Sequence, residues 1–302
     1  MTVRLVSLLP AATEIVALLG ATDSLVGVTH ECDYPDILGS RARVTKSALP
    51  DTHDPAAIDD AVRSQNAEGL ALFTLDETKI RALHPDVLLT QALCDVCAVR
   101  ETDVRALADR LAPVPTVVTL GGTSLDGIYD DIRAVAVVMD ALDEAEELLA
   151  GLHDRVRHVH ETLKAAKAPR PRVALVEWTS PVYLAGHWGP EQIRRAGGVD
   201  VLGVAGAHSV PIGMDALREA DPEIVVFAQC GYGVSAAADE ARACLSNPEW
   251  SWLAGRAVWA MDANGLTTRP GPRVVDGIEA MARIFNPSLF SPIDRRHAVR
   301  VS

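Results

Sequence analysis

Four cysteines stand where thiolates could act together. Cys32, Cys94, Cys97 and Cys230 each follow a short apolar run that reads as a buried strand. That puts them in loops at strand carboxyl ends, the side on which open α/β sheets bind ligands. Four thiolates complete a tetrahedral zinc site or hold an iron–sulfur cluster. The same residues also pack well as small buried hydrophobes, and both readings stand. Cys244 falls inside a helical stretch, about 236–245, and reads as packing. His30-Glu31-Cys32-Asp33 gathers ligand and proton-transfer groups into one loop, although Asp33 before Pro35 also suits a turn. His187, beside Trp188, is placed to reach a metal-centred ligand, while its glycine neighbours equally suit a tight turn. Trp178, Tyr183, Trp188 and Tyr232 follow strand ends and offer flat rings to a large planar ligand. In Arg269-Pro270-Gly271-Pro272-Arg273 the prolines preset the backbone. They direct guanidinium groups toward an anionic ligand group, or toward a carboxylate of the protein itself.

These residues need elements to hold them. Residues 4–9 read as a strand, and the helix after Pro10 stops at Gly20. Further strands are expected over 26–29, 86–91 and 116–120, with helices over 76–83 and 101–111 between them. Strands alternating with helices argue for a parallel sheet covered on both faces. From Leu125 to Ala168 the pattern is helical, with a break near Asp140. The second piece, 143–168, is acidic at its start and basic at its end, which complements the helix dipole. The alternation then resumes, with strands over 172–178, 223–228 and 257–261 and helices over 190–196 and 271–285. His84-Pro85-Asp86 before one strand is echoed by Asp221-Pro222-Glu223 before another, which suggests lobes of like construction. The expected division is a lobe over 1–122, a helical connection over 123–169 and a lobe over 170–302.

The chain has 302 residues, 48% hydrophobic and 23% charged, a globular composition that rules out a disordered or collagenous protein. Its formal charge of −13 repels phosphate backbones and anionic membranes, so nucleic acid is not an expected partner. No uncharged apolar run is long enough to span a bilayer. Five irregularly spaced cysteines do not make a disulfide framework. Taken as it stands, with residues 3–10 read as a first strand rather than a leader, the chain is expected in the cytoplasm. A start further upstream would make it periplasmic or attached to the cell surface. No phosphate-loop, dinucleotide or nucleophile-elbow motif occurs, which disfavours an NTPase, a dinucleotide enzyme or a serine hydrolase. No catalytic residue is assigned.

Residues 6–16 (VSLLPAATEIV), 30–35 (HECDYP), 90–97 (TQALCDVC), 185–188 (AGHW) and 269–273 (RPGPR) resemble the helical-backbone periplasmic binding protein superfamily. Within it they are similar to cobalamin-binding proteins, the vitamin B12 receptors of ABC importers. The resemblance implies an α/β fold of two Rossmann-like lobes with parallel sheets, joined by a long backbone helix, with the ligand held in a cleft between them. It also implies a corrinoid or comparably large ligand and an ABC importer as partner. Strand-end placement and the resemblance together make His30, Glu31, His187, Trp188, Tyr232, Arg269 and Arg273 the expected ligand-binding residues. The competing expectation is a cytoplasmic protein, open to an enzymatic role, whose Cys32, Cys94, Cys97 and Cys230 bind zinc or an iron–sulfur cluster.

Overall fold

The computed structural model describes residues 3–50, 52, 54–93 and 98–302. The chain divides into two compact units, one of residues 1–122 and 126–150, the other of residues 123–125 and 151–302.

The first unit opens with strand β1 (Leu5–Ser7) and helix α1 (Pro10–Leu18). Proline at the first helical turn and Gly20 at φ 75° just beyond the helix mark its two ends. Then come β2 (Leu25–Val28), β3 (Ala42–Arg43), β4 (Thr45–Ser47), α2 (Pro55–Ala67), β5 (Phe73–Leu75), α3 (Glu77–Leu83), β6 (Val87–Gln91), α4 (Glu101–Ala108) and β7 (Thr116–Leu120). Asp76 caps α3 by accepting the Lys79 amide. The main sheet has the order β3-β2-β1-β6-β7, and every pair in it is parallel. All five residues of β6 are buried, Thr90 and Gln91 at its end included, as an inner strand of a parallel sheet requires. Strands β4 and β5 form a separate antiparallel pair.

Helices α5 (Leu125–Met139) and α6 (Leu142–Ala165) follow, separated by Asp140 at φ 54°. The 24 residues of α6 amount to about 36 Å of helix. Beyond it lie β8 (Arg172–Thr179), β9 (Val182–Leu184), α7 (Gly189–Arg195), β10 (Val199–Asp200), α8 (Met214–Glu219), β11 (Ile224–Phe227), α9 (Val234–Ser246), β12 (Ala257–Met261), α10 (Ala263–Leu266), α11 (Val274–Phe285) and β13 (Ala298–Arg300). The second sheet has the order β10-β8-β11-β12-β13. Its inner pairs are parallel, while β13 runs antiparallel to β12 and β9 folds back antiparallel onto β8. Val176, Val225, Phe227 and Val258 from this sheet pack with Trp250 and Leu253 in its core.

The echo seen in the sequence has a structural basis. In the first unit the backbone N–H of Arg4 donates to Asp86 Oδ2 at 2.8 Å, and the Arg4 guanidinium donates to the carbonyls of Leu83 and His84. In the second unit the N–H of Arg172 donates to Glu223 Oε2 at 2.8 Å, and its guanidinium donates to the carbonyls of Ala220 and Asp221. His84 and Asp221 both take left-handed backbone angles, φ 42° and 47°. One joint, an arginine at the head of a strand gripping the turn that feeds the neighbouring parallel strand, thus occurs in each unit.

Candidate functional site

In the first unit the loop after β2 carries His30. Its Nδ1 lies 2.7 Å from Thr45 Oγ1, its own N–H donates to the same hydroxyl, and Thr29 Oγ1 is 2.7 Å from it. The ring packs against Phe73 at 5.7 Å. Burial, and then the Arg43 charge, lowers the His30 pKa below 6.5 and favours the neutral imidazole at neutral pH. Arg43 donates to the carbonyls of Thr29 and Cys32, which closes the loop around residues 29–32. Glu31 is partly exposed in the same loop.

Cys32 turns inward. It is buried, with Sγ 3.0 Å from the Thr13 hydroxyl, which in turn donates to Ser7 Oγ. Cys230 is exposed in the second unit, and Cys94 and Cys97 lie outside the described residues. Among the described residues no group of three or more His, Cys, Asp or Glu side chains is arranged to hold a metal ion. Two of the four cysteines expected to act together thus lie outside the described residues, and of the other two Cys32 is buried and Cys230 exposed.

In the second unit β9 leads into residues 185–188. Gly186 is pressed against another loop: a Cβ there would stand 2.5 Å from the Ala207 carbonyl oxygen and 2.6 Å from the Ser209 nitrogen. His187 follows at φ 48°, with Nε2 3.1 Å from His208 Nδ1. Burial, then the neighbouring His208, lowers its pKa. Trp188 is buried and its indole N–H donates to the Thr267 carbonyl at 2.7 Å. Tyr232, after β11, is also buried and meets Trp178 edge-on at 5.9 Å. Both rings, expected from the sequence to face a ligand, are buried here.

Arg273 caps α11 and lies over Gly265. A Cβ on Gly265 would be 2.6 Å from Arg273 Nη1 and 2.5 Å from Asp262 Oδ2, so glycine is what lets this cation and anion share the space beyond β12. Arg269 is partly buried in the preceding loop. Gln229, just past β11, is fully buried, and neither atom of its side-chain amide has a hydrogen-bond partner among the described residues. Sequence reasoning missed Thr45, Asp262 and His208. Each acts by a contact across many residues and carries no local pattern of its own.

The second sheet thus repeats the parallel plan of the first, and a family model described as periplasmic binding protein matches residues 5–255. The chain belongs to that family. An uncharacterized ABC transporter substrate-binding lipoprotein of Bacillus subtilis, YvrC, is 23% identical over 300 residues, covering 95% of this chain and 81% of the relative. A vitamin B12-binding protein of Vibrio cholerae is 23% identical over 276 residues, covering 91% and 86%. Among solved structures, a periplasmic heme binding protein from Pseudomonas aeruginosa has the same fold, with a TM-score of 0.75 at 23% identity over 100% of this chain and 99% of that one. The family thus bears out the superfamily suggested by the sequence motifs. The names of these relatives speak of the periplasm and of a lipoprotein, and they lend no support to the cytoplasmic expectation. No helix among the described residues is long and apolar enough to cross a membrane.

Proposed function

We propose that this protein is the substrate-binding component of an ABC importer, that it works outside the cytoplasmic membrane, and that its ligand is a corrinoid or a similarly large tetrapyrrole. The observation that carries this reading is the match, over 91% of the chain, to a vitamin B12-binding protein. The aromatic and cationic residues of the loops add to it, because a corrinoid presents a broad apolar ring with polar and anionic substituents at its rim. His30 and Glu31 in the first unit are proposed contacts, as are His187, Arg269 and Arg273 in the second. Trp188 and Tyr232 in the second unit are proposed contacts as well. The lobes meant here run over 1–122 and 170–302, bridged by 123–169.

Calorimetric titration of the purified protein with aquacobalamin, cobinamide, ferric protoporphyrin and a ferric siderophore tests the reading. One corrinoid per chain, bound at about 1 μM or tighter, is the expected result. Failure of both corrinoids with tight binding of the siderophore would overturn it, and a preference for the porphyrin would move the ligand to haem.

A further inference from the structure

The arginine loop of the second unit stands on carbonyls that another helix holds. Residues 267–273 join α10 to α11 and include Arg269-Pro270-Gly271-Pro272-Arg273. The prolines remove two backbone donors, and the bonds the loop makes within itself are short turns. The Gly271 N–H donates to the Arg269 carbonyl at 2.9 Å, and the Val274 N–H donates to the Gly271 carbonyl at 3.1 Å. Leu266, Thr267 and Val274, at the two feet of the loop, are buried, so their carbonyls need partners from the protein. Helix α7 and the residue before it supply them. The indole N–H of Trp188 donates to the Thr267 carbonyl at 2.7 Å, and Nε2 of Gln192 donates to the carbonyls of Leu266 and Val274, at 2.8 Å each.

The Gln192 N–H donates to the Trp188 carbonyl at 2.9 Å, a helical turn that brings both side chains to one face. Gln192 spans the loop. Its two amide hydrogens reach the residue before 267 and the residue after 273, which fixes the separation of the feet. Gly277 on α11 makes this approach possible, since a Cβ there would stand 2.6 Å from Gln192 Nε2. The Gln192 side chain is fully buried, and its Oε1 has no hydrogen-bond partner among the described residues. Packing alone does not call for such a group, because methionine fills a similar volume without an unpaired buried acceptor. What the amide adds is its pair of donors.

We infer that Gln192 is the positioning residue of the arginine loop, and that through this loop the protein distinguishes ligands by an anionic group. A guanidinium reads a carboxylate or a phosphate by paired, directional bonds. A shift of the feet therefore costs such a contact more than it costs an apolar one. Gln192 acts through the arginines rather than on the ligand. Arg273 also shares the space at Gly265 with Asp262, so Arg269 is the residue on which the effect is read. This inference rests on the tetrapyrrole reading above and on Arg269 as a ligand contact within it.

Equilibrium titration with two pairs of probes tests it: ferric protoporphyrin against its dimethyl ester, which lacks the carboxylate charges, and aquacobalamin against cobinamide, which lacks the phosphodiester. The wild-type protein should bind the member carrying the anionic group about tenfold or more tightly in at least one pair. Arg269→Ala should abolish that preference. Gln192→Met should lower it to about threefold or less and leave binding of the other member unchanged. In the Arg269→Ala background Gln192→Met should change nothing further, because both substitutions then remove one interaction. Gln192→Asn, whose shorter stem reaches one carbonyl at a time, should fall between, and it decides the matter if Gln192→Met does not fold. Leu253→Ala, a core truncation in the same unit, should lower the melting temperature and keep the preference. A preference that survives Arg269→Ala or the Gln192 variants, losses that add in the double variant, or an equal loss in Leu253→Ala overturns the positioning role. Tetrapyrrole binding with no preference for the anionic member of either pair overturns the inference and leaves the tetrapyrrole reading standing. Failure of all four probes to bind overturns both.

Discussion

Arg155 should be a sensitive position of the second unit. It projects from α6 to α11, where Nε donates to Glu279 Oε1 at 2.9 Å and Nη2 donates to Asp276 Oδ1. Its side chain is 38% exposed, against 26% for Asp276 and 25% for Glu279, so solvent screens the pair in part. A hydrogen bond to a charged group contributes about 1.5–3 kcal/mol when well buried. Halving that for the exposure gives roughly 1 kcal/mol for each of the two. Two carboxylates three residues apart on one helix add a few tenths once their shared cation is gone. Arg155→Met, which keeps the apolar stem, should therefore cost about 2 kcal/mol, or roughly a thirtyfold change in the unfolding equilibrium. The pH dependence follows from Glu279. Burial pushes its carboxyl up, but the hydrogen bond and charge of Arg155, with Arg283 beside them, outweigh this and hold it below its ordinary 4.5. A depressed carboxylate contributes its full stability above the unfolded value and loses it as the pH falls through the folded one. The gap between wild type and variant should thus be full at pH 7 and close by about pH 3. Urea unfolding at both pH values measures it. A loss under about 0.5 kcal/mol at neutral pH, or a gap that survives in acid, would refute the two-bond account.

Two further outcomes are expected. Because burial and Arg43 lower the His30 pKa, the unfolded chain takes up a proton near pH 6.5 that the folded chain resists, so stability should decline as the pH drops below 6.5. His30→Gln should flatten part of that slope in denaturant midpoints measured from pH 7.5 to 5, and an unchanged slope would contradict the assignment. In maleimide labelling followed by peptide mass analysis, exposed Cys230 should react in the native protein while buried Cys32 and Cys244 wait for unfolding. The Cys244 thiol is pushed up to about 12 by burial and by Glu240, and labelling of Cys244 ahead of Cys230 would contradict the burial described.

The parallel strands of both sheets were legible in the sequence because each is an apolar run bounded by turn residues; 116–120 and 257–261 were located to the residue. The long helix was legible from its charge gradient, Asp143 and Glu144 at one end and Lys164 at the other. The antiparallel additions were not. Strands β4, β5, β9 and β13 have three residues each, too few to show an alternation. Helix α2 fully buries only Pro55, and Val62 packs at the margin of the core, so its apolar stripe is too short to announce it. At the site, sequence placed His30, His187 and Cys230 in loops after strands. It could not see that Trp188 finds a carbonyl at Thr267, or that a second imidazole arrives from position 208.

The paired arginine joints separate two demands on the same sheets. A parallel pair has no hairpin to set its register, and a slip of one residue would carry every side chain to the opposite face of the sheet. Here the register is pinned where the strands begin, by contacts 82 residues apart in sequence in the first unit and 51 in the second. The opposite edge, where the strands end, is spared that duty. Its loops can be lengthened, recoloured with aromatic or charged residues, or refitted to another cargo while the pins at the far edge keep the strands aligned. A scaffold divided in this way can change what it carries without relearning how to fold.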